Sequence, residues 1–161
     1  MFLSLYKTLV RPLLEYCVHA WSPHLKRDIN LLENVQRRAT RIVRVIRDKE
    51  YEDRLAFLEL PKLEDRRKRG DMILTYRLIH GEEGIGYEKF FELSTGVYNL
   101  RGDHSLKIKR PFIPGGSLEP RRHFFSQRVI QNWNNLTEKE VSAKNTSKFK
   151  EFYDQVEKLR K

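Results

Sequence analysis

Residues 29–46, INLLENVQRRATRIVRVI, decide how this chain is read. Ile29, Leu32, Val35, Ala39, Ile42, Val43 and Ile46 recur at three- and four-residue steps, the stripe of an amphipathic helix. Arg37, Arg38, Arg41 and Arg44 crowd its second half, and the helical period puts 37, 41 and 44 on one face. The expectation is a helix packed against a core on one side and strongly positive on another.

Working outward, residues 2–20 read as a first helix, apolar over a wide arc and kinked or restarted at Pro12. Ser22-Pro23 suits a helix start, and the second helix then runs to about Arg47. Tyr51, Leu55 and Leu58 mark a third helix, closed by Leu60-Pro61. A fourth spans about Leu63 to Ile79, with Gly81 placed as its C-cap. Residues 81–120 hold seven of the eight glycines and three of the six prolines, which marks them as a loop-rich connector. Within it, Ser105-Leu-Lys-Ile-Lys alternates as a short strand, and Pro114-Gly-Gly signals a turn, so a short β-hairpin fits there. A fifth helix is expected from about Arg121 to Leu136, a capping box at Thr137–Glu140, and a last helix from about Ser147. The predicted fold is therefore mainly α: a helical bundle over 1–80, a connector over 81–120 and a C-terminal helical unit over 121–161.

The chain has 161 residues, with 32 Lys and Arg against 22 Asp and Glu, a net charge of +10. Such an excess favours polyanions: nucleic acid first, an anionic membrane surface second. The single cysteine, Cys17, rules out an internal disulfide and fits a reducing, intracellular compartment. The first residues lack a basic n-region and their apolar run is broken by Lys7 and Arg11, so no signal peptide is expected. No run approaches the roughly 20 apolar residues of a membrane span.

Metal-dependent phosphoryl chemistry needs converging carboxylates. The acidic pairs Glu52-Asp53, Glu64-Asp65 and Glu82-Glu83 fall on helices or loops, and none ends an apolar strand, so no metal site and no cofactor are expected. Cys17, His19 and His24 match no zinc spacing, and Cys17 reads as a small buried hydrophobe. Trp133 and Trp21 read as packing residues. The basic clusters remain. Arg66-Arg67-Lys68-Arg69 follows Glu64 and Asp65 at four-residue spacing, so it serves either as a self-paired solvated face or as a phosphate contact. Lys107 and Lys109 alternate in the short strand, and Arg121-Arg122 heads the fifth helix against its dipole. Candidate phosphate contacts are therefore Arg37, Arg38, Arg41, Arg44, Arg66, Arg67, Lys107 and Lys109.

Several of these segments are familiar together. They are Leu5-Tyr-Lys-Thr-Leu-Val-Arg-Pro-Leu-Leu-Glu-Tyr-Cys-Val-His-Ala-Trp-Ser-Pro, Leu31-Leu-Glu-Asn-Val-Gln-Arg-Arg-Ala-Thr, Tyr51-Glu-Asp-Arg-Leu, Leu60-Pro-Lys-Leu-Glu-Asp-Arg-Arg and Gly70-Asp-Met-Ile. With Arg101-Gly-Asp-His-Ser-Leu-Lys, Phe124-Phe-Ser-Gln-Arg-Val and Asn132-Trp-Asn-Asn-Leu, they resemble the region after the palm in non-LTR, LINE-type (jockey-like) retrotransposon reverse transcriptases. The resemblance implies a thumb-like helical region with a post-thumb tail. It implies partners too: the backbone of RNA, DNA or an RNA–DNA duplex, and the palm and fingers of such a polymerase. The family's RNA-directed DNA polymerase activity depends on a Tyr-x-Asp-Asp-type motif, and this chain has no Asp-Asp pair, so the expectation is a non-catalytic fragment and not an enzyme. Two other readings stay open: a helical protein-interaction module, and an inert pseudogene product.

Overall fold

The computed structural model describes residues 2–94, 104–111 and 119–159. It is mainly helical, as the periodicity predicts. Among the described residues, extended backbone pairs only at an isolated antiparallel bridge between Leu93 and Ile108, in place of a hairpin. The Pro114-Gly-Gly turn signal and Arg101-Gly-Asp lie outside the described residues. The chain divides into two compact units, Met1–Arg69 and Gly70–Lys161, and the boundary falls inside a helix rather than at the expected residues 80 and 120.

In the first unit, α1 (Phe2–Leu5) passes through a wide π-helical turn (Tyr6–Val10) into α2 (Arg11–Glu15). Pro12 has no N–H to donate and its ring crowds the preceding turn; the wider register just before it lets the helix continue. The expected helix over 2–20 nevertheless stops at Glu15, where Tyr16 turns extended and Cys17 takes a left-handed φ of 50°. A single turn, α3 (Val18–Trp21), follows. Cys17 is exposed, not buried. Trp21 is 42% exposed, and its indole N–H donates to the Tyr16 carbonyl at 2.6 Å.

The central helix, α4 (Lys26–Arg41), ends well short of the expected Arg47. Ile42, Val43, Val45 and Ile46 are β-branched and resist helical rotamers. The chain turns extended at Val43 and closes a 3-10 turn over Arg44–Ile46, anchored by buried Ile46. That break takes Arg44 off the face it was expected to share with Arg37 and Arg41. The buried side of α4 also differs from the apolar stripe: it carries Glu33, Gln36 and Thr40, while the stripe residues Val35 and Ile42 are 37% and 55% exposed.

The reason lies in the neighbours, α5 (Tyr51–Leu58) and the start of α6 (Leu63–Ile79). Tyr6, Tyr51, Leu55 and Leu60 form the unit's small core, and two of these four carry hydroxyls. The Tyr6 hydroxyl donates to Gln36 Oε1 at 2.8 Å, and Gln36 Nε2 donates to the Pro61 carbonyl at 3.1 Å. The Tyr51 hydroxyl donates to Glu33, whose other oxygen accepts the Leu63 N–H at 3.0 Å. Burying a polar group costs least where it is hydrogen-bonded, and these partners make the polar side of α4 the one that can be buried.

In the second unit, Met72, Tyr76 and Leu78 from the second half of α6 share a core with Phe91, Ile108, Val129 and Trp133. The expected connector is thus part of that core, with Phe91, His104 and Ile108 buried. Gly81 ends α6 in the left-handed region at φ +72°, and the Glu82 N–H reaches back to the Arg77 carbonyl at 2.8 Å and the Gly81 N–H to the Leu78 carbonyl at 3.1 Å, a Schellman motif at the C-cap expected there. The expected fifth helix is two: α7 (Glu119–Arg122) and α8 (Phe125–Asn134). Arg121 and Arg122 consequently close a helix, where cations suit the dipole, instead of opening one. The Thr137–Glu140 capping box is present at the start of α9 (Glu138–Val141), and α10 (Thr146–Leu159) ends the described chain. Trp133 is fully buried, its indole N–H donating to the Leu106 carbonyl at 2.8 Å.

Candidate nucleic-acid interface

The break after α4 shapes a cleft of about 570 Å³ in the first unit. Arg37 and Arg41 enter it from α4, Arg47 and Lys49 from the loop beyond, and Arg54 from α5. Asp48, Glu50 and Glu52 also line it, so five cations face three carboxylates. Glu52 is already taken by Lys62 at 3.1 Å, and this ammonium holds its carboxyl below the usual range. Among the described residues, Arg41 and Arg47 have no ion-pair partner.

Two of the five cations are pinned in place. Arg37 donates to Asn34 Oδ1 at 3.1 Å and its guanidinium lies 4.7 Å from the Tyr51 ring centroid. Arg54 is 3% exposed. Its Nε donates to Thr40 Oγ1 at 3.0 Å and its Nη1 to the Lys49 carbonyl at 2.5 Å, while Nη2 is buried without a partner. An unsatisfied buried donor costs about 1–3 kcal/mol, more when it is charged.

The ring under these guanidiniums belongs to the buried network. Burial, with the hydrogen bond to Glu33 next, pushes the Tyr51 hydroxyl far up, and burial pushes Tyr6 up to about 12. Both hydroxyls therefore remain neutral donors at ordinary pH. Glu33, Gln36, the Tyr51 hydroxyl and the Pro61 carbonyl meet in one hydrogen-bonded network.

The eight sequence candidates do not gather in one place. Arg37 and Arg41 share the cleft, and Arg38 and Arg44 are exposed outside it. Arg66 is held by both oxygens of Glu15, Nη2 to Oε2 at 2.8 Å, and that hydrogen bond raises its guanidinium's pKa further. Its charge is spent inside the fold, because Glu15 on α2, 51 residues away, is invisible to local spacing. Arg67 is buried at 4% exposure. Of that cluster, Lys68 does pair with Glu64 at four-residue spacing, at 2.7 Å. In the second unit Lys107 is half-buried and Lys109 pairs with Glu92 at 2.7 Å. Arg47, Lys49 and Arg54 were not among the candidates. Only Arg54 had a signal, its place in Tyr51-Glu-Asp-Arg-Leu.

Among the described residues, no three His, Cys, Asp or Glu side chains are grouped to hold a metal ion, and no helix is long and apolar enough to cross a membrane. No family model, curated protein or solved structure matches the chain.

Proposed function

We propose that this chain binds the phosphate backbone of nucleic acid without sequence preference, as the non-catalytic C-terminal part of a LINE-type reverse transcriptase. The observation that carries the binding is the Arg37–Arg41–Arg47 cleft, where cations on a packed scaffold face solvent with incomplete neutralisation. Contacts of this kind go to phosphate and sugar and position a duplex without reading its bases. The origin rests on the segments of resemblance alone. Its test for binding is a salt titration with a mixed-sequence duplex. Each phosphate neutralised contributes about 0.9 log unit of affinity per log unit of salt. A flat salt response, or a duplex that does not bind at low salt, overturns the reading.

A second reading, the helical interaction module, draws on a different observation. Leu9 and Leu13 are 62% and 78% exposed on the first helical segment, and Leu31 on α4 and Ile42 at its C-cap are more than half exposed. Contiguous exposed apolar surface marks interaction sites. On this reading Leu9→Gln with Leu13→Gln abolishes concentration-dependent association and leaves the salt dependence of duplex binding intact.

A further inference from the structure

We infer that the cleft contains a discrete subsite for one phosphate group, centred on Arg54. The inference rests on the backbone-binding reading and narrows it to a place and a ligand geometry. A surface patch of arginines attracts polyanions diffusely; a subsite needs a donor fixed in direction. Arg54 is such a donor. Thr40 Oγ1 and the Lys49 carbonyl hold two of its three nitrogens at 3.0 and 2.5 Å, which fixes the guanidinium plane, and the third, Nη2, has nothing to bond. No carboxylate pairs with it among the described residues, although Asp48, Glu50 and Glu52 line the same cleft. Arg54, 3% exposed and one bond short at Nη2, is completed by an anion of small radius and several acceptor oxygens.

The surroundings supply the rest of the cradle. Arg41 and Arg47, both exposed and without an ion-pair partner among the described residues, line the same cleft and supply donors for a second and third oxygen. The start of α5 borders the same cleft, but its Glu50 cap and first-turn Glu52 and Asp53 already meet the helix's positive end, so the donors for the phosphate are the arginines alone. A tetrahedral phosphate matches these donors. A carboxylate ligand would satisfy Arg54 but leave the other arginines without acceptors.

The probe is inorganic phosphate, titrated into the full chain at fixed ionic strength against chloride and followed by the ¹⁵N side-chain signals of its arginines. The expected result is saturable movement and slowed exchange at Arg54, with Arg38 unmoved. Arg41→Gln with Arg47→Gln, both exposed positions, should weaken phosphate at least tenfold while the fold stays intact. Arg54→Gln also removes the bonds to Thr40 and Lys49, so the wild-type spectrum, not that variant, is decisive. A non-saturating response shared equally by Arg38 and Arg54 overturns the subsite. A duplex that binds with a steep salt slope while Arg54 stays silent overturns the subsite and leaves backbone binding standing. Phosphate that saturates Arg54 in a chain that ignores duplex keeps the subsite and ends the nucleic-acid reading. Matched oligonucleotides with and without a 5′-phosphate then separate the source: preference for the first assigns a terminal monoester, equal affinity the backbone diester, and either supports the site.

Discussion

Glu33, midway along α4, accepts the backbone N–H of Leu63 at the first turn of α6, Oε2 to N at 3.0 Å. The same carboxylate takes the Tyr51 hydroxyl on its other oxygen. One side chain thus fixes α4 against two later elements of the first unit. It is 7% exposed, so water cannot replace it.

Glu33→Ala should therefore destabilise the first unit more than a surface change would. It strands a tyrosine hydroxyl and a backbone N–H in a buried place, a loss of about 2–4 kcal/mol. Urea unfolding followed by Trp21 fluorescence, in a Trp133→Phe background, reads that unit alone. A loss under about 0.5 kcal/mol, the range of ordinary surface substitutions, would mean the network is not holding α4.

Alkaline titration should expose the same network. Tyr6 titrates at about 12 in the fold, chiefly through burial, against an ordinary 10.0. Tyr51 is displaced in the same direction. Between those values the unfolded chain has released protons the folded chain still holds, so stability falls as pH rises. The contribution is complete below pH 10 and is lost progressively towards pH 12. For Tyr6 alone it amounts to about 2–3 kcal/mol. Stability measured from pH 8 to 11 should decline, and Tyr6→Phe should make the decline shallower. An unchanged slope in that variant would place the titration elsewhere.

Two arginines that look alike in sequence should behave differently. Arg41 lines the cleft and is exposed, whereas Arg66 is clamped by Glu15. Arg41→Gln should leave stability within about 0.5 kcal/mol and lower the salt slope of duplex binding by about 0.9, one phosphate contact. Arg66→Gln leaves the Glu15 carboxylate half-buried and short of its partner, and should destabilise by about 1–3 kcal/mol with the slope unchanged. The comparison is made by fluorescence anisotropy over a salt series, beside urea unfolding. Equal slopes for both variants would separate the cleft from binding.

These contrasts also show what local sequence could and could not convey. The bounds of α5 and α6, the Gly81 cap, the Thr137–Glu140 box and the burial of Trp133 all follow from residues within a few positions of one another. Proline placement, glycine conformation and helical period act at that range. The buried face of α4 did not follow, because Glu33, Gln36 and Thr40 take their partners from Tyr6, Tyr51, Leu63 and Arg54, 14 to 30 residues away. Counting apolar residues assigns the face wrongly when the neighbouring elements offer hydroxyls and amides. The same holds for the site. Arg41 was legible as part of a basic cluster; Arg47 and Lys49 join it only because the helix breaks at Ile42, and Arg66 leaves the set only because Glu15 folds onto it.

The second unit offers its own check. Asp71 and Arg128 form a two-pronged pair, Oδ2 to Nε at 2.8 Å and Oδ1 to Nη2 at 3.0 Å, with side chains 8% and 17% exposed. Arg128 Nη1 also donates to the His123 carbonyl at 3.1 Å, so the guanidinium ties α8 to the loop before it as well as to α6. Removing one partner of a buried pair leaves the other charge uncompensated, a loss of about 3–5 kcal/mol. Asp71→Ala should fall in that range, read by Trp133 fluorescence in a Trp21→Phe background. Asp71→Ala with Arg128→Met should recover part of it, since the stranded charge is then gone. If the double variant is no more stable than the single, the loss comes from packing around α8 and not from the unpaired guanidinium.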